Sequence, residues 1–337
     1  MAGVDLLEGL DRLEDVRQLR LHAVDLLIGQ VEAGEIGDVL DVLAGDACHG
    51  PMVAPSGSIT PMSTTTHAIP GGRIEAFSLA GGDGVPLVVL GGVETGFRPL
   101  AGTEHVLTRR WEGRMDRRAV TVLGRPIADD PADADRIMHP RVIADGIATT
   151  LRALGLGPVA IEAESGGGRI SLWLTVDHPE LVERLVMAAV SSESPPDSPM
   201  AERMRRWITL AEAGDWRTFF AMMAQQMKAA AETEAGAFGA AARLQPRPAT
   251  PERFIGELKA TLDPTSFVTD RLGEIAVPAL LLAGELDQVV PLASTRLVAA
   301  RIPDALLVTD PQCGHTVRSS FTGYDELVEG FLAEGDR

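Results

Sequence analysis

The sequence contains little cysteine: Cys48 and Cys313 are the only two in 337 residues. Two cysteines allow at most one bridge, so they cannot build a disulfide framework, and they lack the spacing of metal ligands. The sequence also lacks H-E-x-x-H, Walker and C-x-x-C motifs, and the run Gly166-Gly167-Gly168 is not a dinucleotide fingerprint. We therefore expect neither a metal nor another cofactor.

Positive charge is also scarce. The chain has 30 basic and 48 acidic residues, which gives a net charge of −18. Such a charge repels phosphate backbones and anionic lipid surfaces, so we expect neither nucleic acid nor a membrane as partner. No apolar run reaches membrane-spanning length, and Asp5, Glu8 and Asp11 lie where a secretory signal would be basic. These features predict a cytoplasmic protein.

The length and the 45% hydrophobic content predict one long α/β domain or two smaller ones. From residue 73 onward, short apolar runs alternate with longer helical patterns, which is typical of parallel strands joined by crossover helices. Most runs are apolar on both faces, so the sheet should be covered by helices on each side. The predicted strands are 86–90, 119–123, 158–163, 184–190, 278–283 and 305–309.

Two segments fall outside this alternation. Residues 1–72 predict an N-terminal helical arm that ends in a connector rich in Gly, Pro, Ser and Thr. The arm could form a homodimer, close over an active site or simply pack on the core, and packing is the favoured interpretation. Residues 192–270 lose the strand pattern and carry Met, Trp and Phe at helical spacing. They predict a helical cap inserted between the core segments 73–191 and 271–337.

A candidate nucleophile lies at the end of one predicted strand. Ser165 follows the apolar run 158–163 and precedes three glycines. A serine at a sharp strand-to-helix turn needs small neighbours two residues away, because a larger side chain would collide with the reversed backbone. Gly167 fills one of these positions and Ala163 the other, so the steric rule holds although the first glycine of G-x-S-x-G is replaced. The alternative interpretation is a glycine-rich turn without chemistry.

Partners for this serine follow two later strands. A serine hydroxyl is a weak nucleophile, so it needs a histidine to take its proton and a carboxylate to orient that histidine. Asp287 lies in the loop after the predicted strand 278–283, and His315 lies in the loop after 305–309. Open α/β sheets place their ligands at such strand ends. The order serine, acid, histidine is the one found in a particular α/β fold.

Three segments carry a family resemblance: Glu164 to Gly168, Pro278 to Pro291, and Cys313 to His315. Together with the helices and strands around them, the stretch from about residue 73 to residue 333 resembles the α/β-hydrolase superfamily. The resemblance implies that fold, with a mostly parallel sheet, flanking helices and an inserted cap. It also implies Ser165 as nucleophile, Asp287 as acid and His315 as base. Glu193 is an alternative acid. It follows the predicted strand 184–190, and some members of the superfamily carry the acid after that strand.

An oxyanion that forms on a substrate carbonyl needs fixed N–H donors. Gly166 offers one, because it follows the nucleophile at the amino end of a helix. The resemblance implies a second donor in the loop after strand 86–90, which we assign to the Val93 N–H. Glu94 would oppose an oxyanion unless it points to solvent or pairs with an arginine, and it could instead contact a cationic substrate group.

The sequence thus predicts a serine hydrolase that cleaves a small hydrophobic ester, thioester or lactone through an acyl-enzyme on Ser165. The Met, Trp and Phe residues of the cap are either core filler or the lining of an apolar pocket. Alternatives on the same fold are an acyltransferase, a carbon–carbon hydrolase, and a lyase or cyclase of small-molecule biosynthesis. An alternative from another class is a catalytically inert ligand-binding protein that has kept the three residues.

Overall fold

The computed structural model describes residues 63–227 and 248–335. The predicted arm therefore lies outside the described residues up to residue 62, as does the part of the predicted cap from residue 228 to residue 247. No helix in the two described ranges combines the length and the hydropathy that a membrane crossing requires.

The described residues form one eight-stranded sheet in the order β1-β2-β5-β6-β7-β8, with β3 and β4 also paired to β2. Neighbouring strands from β2 to β8 along this order run parallel, whereas β1 and β4 run antiparallel to β2. The expected mostly parallel sheet is therefore confirmed. The strands are β1 (Thr65–Ile69), β2 (Gly72–Leu90), β3 (Arg118–Leu123), β4 (Ile127–Ala128), β5 (Val159–Glu164), β6 (Val182–Ala188), β7 (Ala279–Gly284) and β8 (Ala305–Asp310).

Strand β2 is long because it folds back around β3. Its first half pairs antiparallel with β3, from Ala76 opposite Leu123 to Leu79 opposite Val120. The register then shifts at Asp83 and Gly84, and in the second half Leu87 lies opposite Val120 and Val89 opposite Val122. Residue numbers increase in the same direction along both strands in this second pairing, so the second half of β2 runs parallel to β3. Strand β3 therefore lies between the two halves of β2. This arrangement places the carboxyl end of β2 beside that of β5.

Helices cover both faces of the sheet, as the two-sided apolar runs predict. The α-helices are α1 (Glu104–Met115), α2 (Ala134–Ile137), α3 (Pro140–Ala153), α4 (Gly166–Asp177), α5 (Pro199–Glu212), α6 (Trp216–Met227), α7 (Pro251–Leu262), α8 (Leu292–Arg301), α9 (Val317–Ser320) and α10 (Tyr324–Ala333). Ile161 of β5 and Leu281 of β7 face a core that contains residues of α3, α4 and α8. Their neighbours Ala160 and Leu280 face a second core with residues of α1, α9 and α10.

Helices α5, α6 and α7 lie between β6 and β7 in the chain, within the segment 192–270 that we predict to be a cap. Their core is a cluster of rings packed against one another, with Phe219 5.1 Å from Phe220 and 5.2 Å from Phe254 between ring centroids. Trp207 and Trp216 contact the same cluster and are also buried. Of the two interpretations of these aromatic residues, the structure therefore favours core filler.

The sheet begins earlier than the sequence indicates. Strand β1 lies inside the predicted connector, and the first half of β2 precedes the predicted strand 86–90. The burial pattern explains the difference for β1, because Thr65 and Thr66 are exposed and the strand therefore has no continuous apolar run. The remaining predicted strands are confirmed with their ends displaced by at most two residues.

Candidate active site

Ser165 lies at a strained turn between β5 and α4. Its backbone has φ 51° and ψ −117°, in a region that a residue other than glycine rarely occupies, and this conformation costs about 1–3 kcal/mol. The turn is held by the Ser165 N–H, which donates to the Ala188 carbonyl at 2.9 Å. A Cβ on Gly167 would lie less than 3.0 Å from the Leu90 and Gly91 carbonyl oxygens. Glycine is therefore required at this position, and the turn presents the serine hydroxyl at the end of the strand.

Ser165, His315 and Asp287 form one hydrogen-bonded chain. The distance from His315 Nε2 to Ser165 Oγ is 3.0 Å, and the distance from His315 Nδ1 to Asp287 Oδ2 is 2.8 Å. The ionised carboxylate can only accept, so Nδ1 carries the proton and Nε2 is free to accept the serine hydrogen. The structure thus brings together the three residues that the sequence singled out, in the arrangement of a nucleophile, a base and an orienting acid.

The Asp287 carboxylate is fixed by its own loop. Its Oδ1 accepts the N–H groups of Val289 at 2.7 Å and Val290 at 2.9 Å, which leaves Oδ2 for the histidine. The end of β7, which leads to Asp287, also touches the loop that carries His315, because a Cβ on Gly284 would lie less than 3.0 Å from the Cys313 carbonyl oxygen. The side chain of Asp287 is 1% exposed, so water does not compete for these bonds.

The surroundings of His315 favour its protonated form. Burial of the ring disfavours the charge, but the attraction and hydrogen bond of Asp287 outweigh this effect, and the Glu164 and Glu94 carboxylates add to them. Together they raise the pKa of His315 above its ordinary value of 6.5. The ring can therefore accept a proton from a nearby hydroxyl more readily than an isolated imidazole.

Val93 and Gly166, the candidate oxyanion donors, lie side by side. Gly166 begins α4, and Val93 begins a short 3-10 helix, Val93–Phe97, after the carboxyl end of β2. The Val93 nitrogen is 3.4 Å from the position that a Cβ on Gly166 would take. The two backbone segments therefore lie against each other, directly after Ser165.

The remaining acidic candidates have other partners. Glu94 is exposed, its Oε1 accepts the Gly92 N–H at 3.1 Å, and its charge is one of those that raise the pKa of His315. Glu193 accepts the Thr269 hydroxyl, so the structure does not place it on the histidine and Asp287 is the acid in contact. The assignment of Glu193 as an alternative acid has no geometric support.

Glu164, the last residue of β5, interacts electrostatically with His315. Its carboxylate is 3.8 Å from the Arg110 guanidinium and is one of the charges that raise the pKa of His315. Burial raises the pKa of Glu164 itself, and Arg110 opposes that shift. Among the described residues, no group of three or more His, Cys, Asp or Glu side chains is arranged to hold a metal ion.

Two buried ion pairs around the site are not apparent from the sequence. Arg125 binds Glu257 through two hydrogen bonds at 2.7 and 2.8 Å, directly behind the loop that carries Val93. Arg318, three residues after His315, binds the buried carboxylate of Glu162 in β5. Each pair joins residues more than 130 positions apart, so no local sequence pattern predicts it.

The fold and the site define a class of protein. The chain belongs to the α/β-hydrolase fold family, whose model matches residues 129–317, more than half of its length. The predicted superfamily is thereby confirmed.

Individual relatives are more distant. The chain is 29% identical over 229 residues to a 2-hydroxymuconate semialdehyde hydrolase from Pseudomonas putida, covering 65% of this chain and 77% of that protein. It is 28% identical over 273 residues to the protein of the same name from Pseudomonas sp. strain CF600, covering 76% and 89%. Among solved structures, an esterase from Rhodococcus sp. ECU1013 superposes with a TM-score of 0.63 at 17% identity, covering 81% of this chain and all of the other. That last similarity concerns the fold alone.

Proposed function

We propose that the protein is a serine hydrolase that cleaves a small hydrophobic ester, thioester or lactone through an acyl-enzyme on Ser165. The observation that carries the proposal is the hydrogen-bonded chain from Ser165 through His315 to Asp287, with the serine held at a strained turn. Nucleophilic catalysis requires a hydroxyl within reach of a histidine that a third group orients, and a strained turn after a strand is how this fold exposes its serine.

The first half of the reaction forms the acyl-enzyme. Ser165 Oγ attacks the substrate carbonyl carbon while its proton passes to His315 Nε2, and Asp287 stabilises the resulting imidazolium. The carbonyl oxygen becomes an oxyanion that the Val93 and Gly166 N–H groups would bind. When the intermediate collapses, the bond to the leaving oxygen or sulfur breaks, and the leaving group takes the proton from His315.

The second half releases the acid. A water molecule gives a proton to His315 Nε2 and attacks the acyl carbon, after which the ester bond to Ser165 breaks and the proton returns to the serine oxygen. No step needs a cofactor. An alcohol or amine in place of water would make the enzyme an acyltransferase, and a lyase or cyclase would start from the same nucleophile.

The preference for a hydrophobic acyl group rests on what packs against residues 91–96, the loop that carries the Val93 N–H and that we call the oxyanion loop. The Val93 side chain packs against the apolar cluster of α5, α6 and α7 as a partly buried member. A substrate carbonyl bound by the Val93 N–H would therefore lie next to this apolar side chain, which suits an alkyl chain or ring better than a charged group.

A second candidate reaction is the hydrolysis of a 2-hydroxymuconate semialdehyde or a related carbon–carbon bond cleavage. The observation that favours it is the similarity to two proteins of that name, over 77% and 89% of their lengths. Product analysis separates it from ester hydrolysis, because the two candidate substrates yield different acids.

Covalent labelling tests the proposal against an inert ligand-binding protein. A fluorophosphonate probe should label the wild-type protein, and the label should be absent from Ser165→Ala. Ser319→Ala, which removes an exposed hydroxyl, should be labelled like the wild type. Absence of labelling in a folded wild-type protein, or equal labelling of Ser165→Ala, would reject the proposed nucleophile.

A further inference from the structure

A buried Arg125–Glu257 pair lies directly behind the oxyanion loop. Arg125 Nε donates to Glu257 Oε2 at 2.8 Å, and Nη2 donates to Oε1 at 2.7 Å. The side chains are 1% and 2% exposed. Two parallel bonds from a guanidinium to a carboxylate fix both groups in one plane, and here the carboxylate also neutralises a charge that water cannot reach.

The same guanidinium holds the oxyanion loop by its carbonyl groups. The two hydrogens on Nη2 of Arg125 are shared among three acceptors: Glu257 Oε1, the Gly91 oxygen at 2.9 Å and the Gly92 oxygen at 3.0 Å. The Gly92 carbonyl and the Val93 N–H belong to one planar trans peptide, in which the C=O and N–H bonds point in opposite directions. A Gly92 oxygen that is held on Arg125 therefore turns the Val93 N–H away from Arg125.

Gly166, the other proposed donor, lies next to Val93. The Val93 nitrogen is close to Gly166, and Glu257 Oε1 is only 2.9 Å from the position of a Cβ on Gly166. The ion pair thus contacts both halves of the proposed oxyanion site. If the Gly92–Val93 peptide flipped, the site would present a carbonyl oxygen where it needs a donor.

Glu257 also connects this loop to the cap region. It belongs to α7, and residues at the start of α7 bind both the 3-10 helix that begins with Val93 and Arg125 itself. Thr250 Oγ1 donates to the Gly96 oxygen at 2.7 Å, and Arg253 Nη2 donates to the Arg125 carbonyl at 2.8 Å. A displacement of α7 would therefore move the carboxylate that holds Arg125.

We propose that Arg125 and Glu257 are positioning residues that orient the Val93 N–H and make the oxyanion site depend on the seating of α7. The inference rests on the proposed function, since it assigns a role within the same site. Neither side chain touches the reacting atoms. Their loss should weaken the binding of an oxyanion while leaving the serine, the histidine and the ground-state binding of substrate in place.

The test uses Arg125→Lys and Glu257→Gln with an ester substrate and a trifluoromethyl ketone of the same acyl chain. The ketone adds Ser165 Oγ to its carbonyl carbon, the hydroxyl proton passes to His315, and the former carbonyl oxygen becomes an oxyanion. Arg125→Lys keeps the charge but cannot hold the carboxylate and two carbonyls in one plane. Glu257→Gln keeps the shape of the side chain and serves as the second variant if Arg125→Lys does not fold.

We expect kcat to fall about 100-fold or more in both variants, with KM little changed, because removal of one oxyanion donor has an effect of that size. Affinity for the ketone should fall by a similar factor. The pH at which activity declines should stay where it is in the wild type, since His315 and Asp287 are untouched. Arg141→Lys is the matched control, because Arg141 also binds a carboxylate, that of Asp177, through two bonds, but on the surface.

The outcomes separate the inference from the proposed function. A wild-type protein that neither turns over the ester nor binds the ketone would contradict the proposed function, and with it the role of the pair. A wild type that does both, with folded variants that keep kcat and ketone affinity within about threefold, would overturn the positioning role alone. A loss confined to KM would also overturn it, because that pattern means the pair acts on substrate binding.

Discussion

Replacement of Asp287 by asparagine tests how the histidine is held. The variant keeps one acceptor oxygen, which can still bind the N–H groups of Val289 and Val290. The other oxygen, 2.8 Å from His315 Nδ1, is replaced by an NH2 group that can only donate. Nδ1 must then act as acceptor, and the ring proton moves to Nε2. With its proton on Nε2, the His315 ring presents a donor to the Ser165 hydroxyl and cannot take the serine proton.

The size of the effect follows from this exchange of tautomers. The nucleophile, the oxyanion donors and the shape of the site are unchanged, but the base is lost. We expect kcat/KM to fall about 10⁴-fold, which corresponds to about 5.5 kcal/mol of transition-state stabilisation. The melting temperature should stay close to that of the wild type, because the introduced asparagine would fill the same volume and keep the two backbone bonds.

Initial rates with p-nitrophenyl esters of increasing chain length measure this prediction, with thermal unfolding as the test of folding. Glu193→Gln is the matched control, since it alters the other acid that the sequence offers while Gln can still accept the Thr269 hydroxyl. Its activity should resemble the wild type. If Asp287→Asn kept activity within about tenfold of the wild type, or if Glu193→Gln lost it instead, the assigned hydrogen-bond chain would be wrong.

Three further predictions concern the groups around this chain. Because Asp287 raises the pKa of His315 above 6.5, kcat/KM should decline as pH falls through a midpoint above 6.5, and a flat profile between about pH 5 and 8 would contradict His315 as base. Gly167→Ala would force a Cβ against the carbonyl oxygens of Leu90 and Gly91, so it should destabilise the fold by about 1–3 kcal/mol or more and abolish activity. Gly113→Ala, whose Cβ would lie in open space, should do neither, and equal melting temperatures of the two variants would refute this. Arg318→Met would remove the closest cation of the buried Glu162 carboxylate, which keeps Arg114 at 3.6 Å and the Tyr324 hydroxyl as partners. Urea titrations should therefore show a free energy of unfolding that is lower by about 1.5–3 kcal/mol, and unchanged stability would contradict this.

The sequence predicts the core strands well because parallel strands are covered on both faces and so appear as unbroken apolar runs. Strand β5 is buried along nearly its whole length, and the predicted strand lies within one residue of its ends. Strand β1 has only one fully buried residue, Ile69, and pairs at the edge of the sheet, so its sequence resembles that of a loop. The first half of β2 escapes prediction since the glycines of its bend, Gly81 and Gly82, interrupt the pattern.

The site shows the same division between local and distant information. Ser165, Asp287 and His315 each follow a predicted strand, and parallel strands bring their carboxyl ends to one edge, so their meeting could be predicted without coordinates. The pair of Arg125 and Glu257 could not, because it forms only when a helix from the segment between β6 and β7 packs beside the turn between β3 and β4. Burial of an arginine and a glutamate is also the opposite of what composition predicts for such residues.

The most direct test of the central claim is to locate the acyl group during turnover. The protein is mixed with ester, thioester and lactone substrates of matched acyl chains, quenched in acid at short times, and digested for peptide mass spectrometry. We expect an added acyl mass on the peptide that contains Ser165, assigned by fragmentation to that serine and absent from Ser165→Ala. Turnover of a substrate with no acylated Ser165 at any time, or with acylation at another residue, would contradict it.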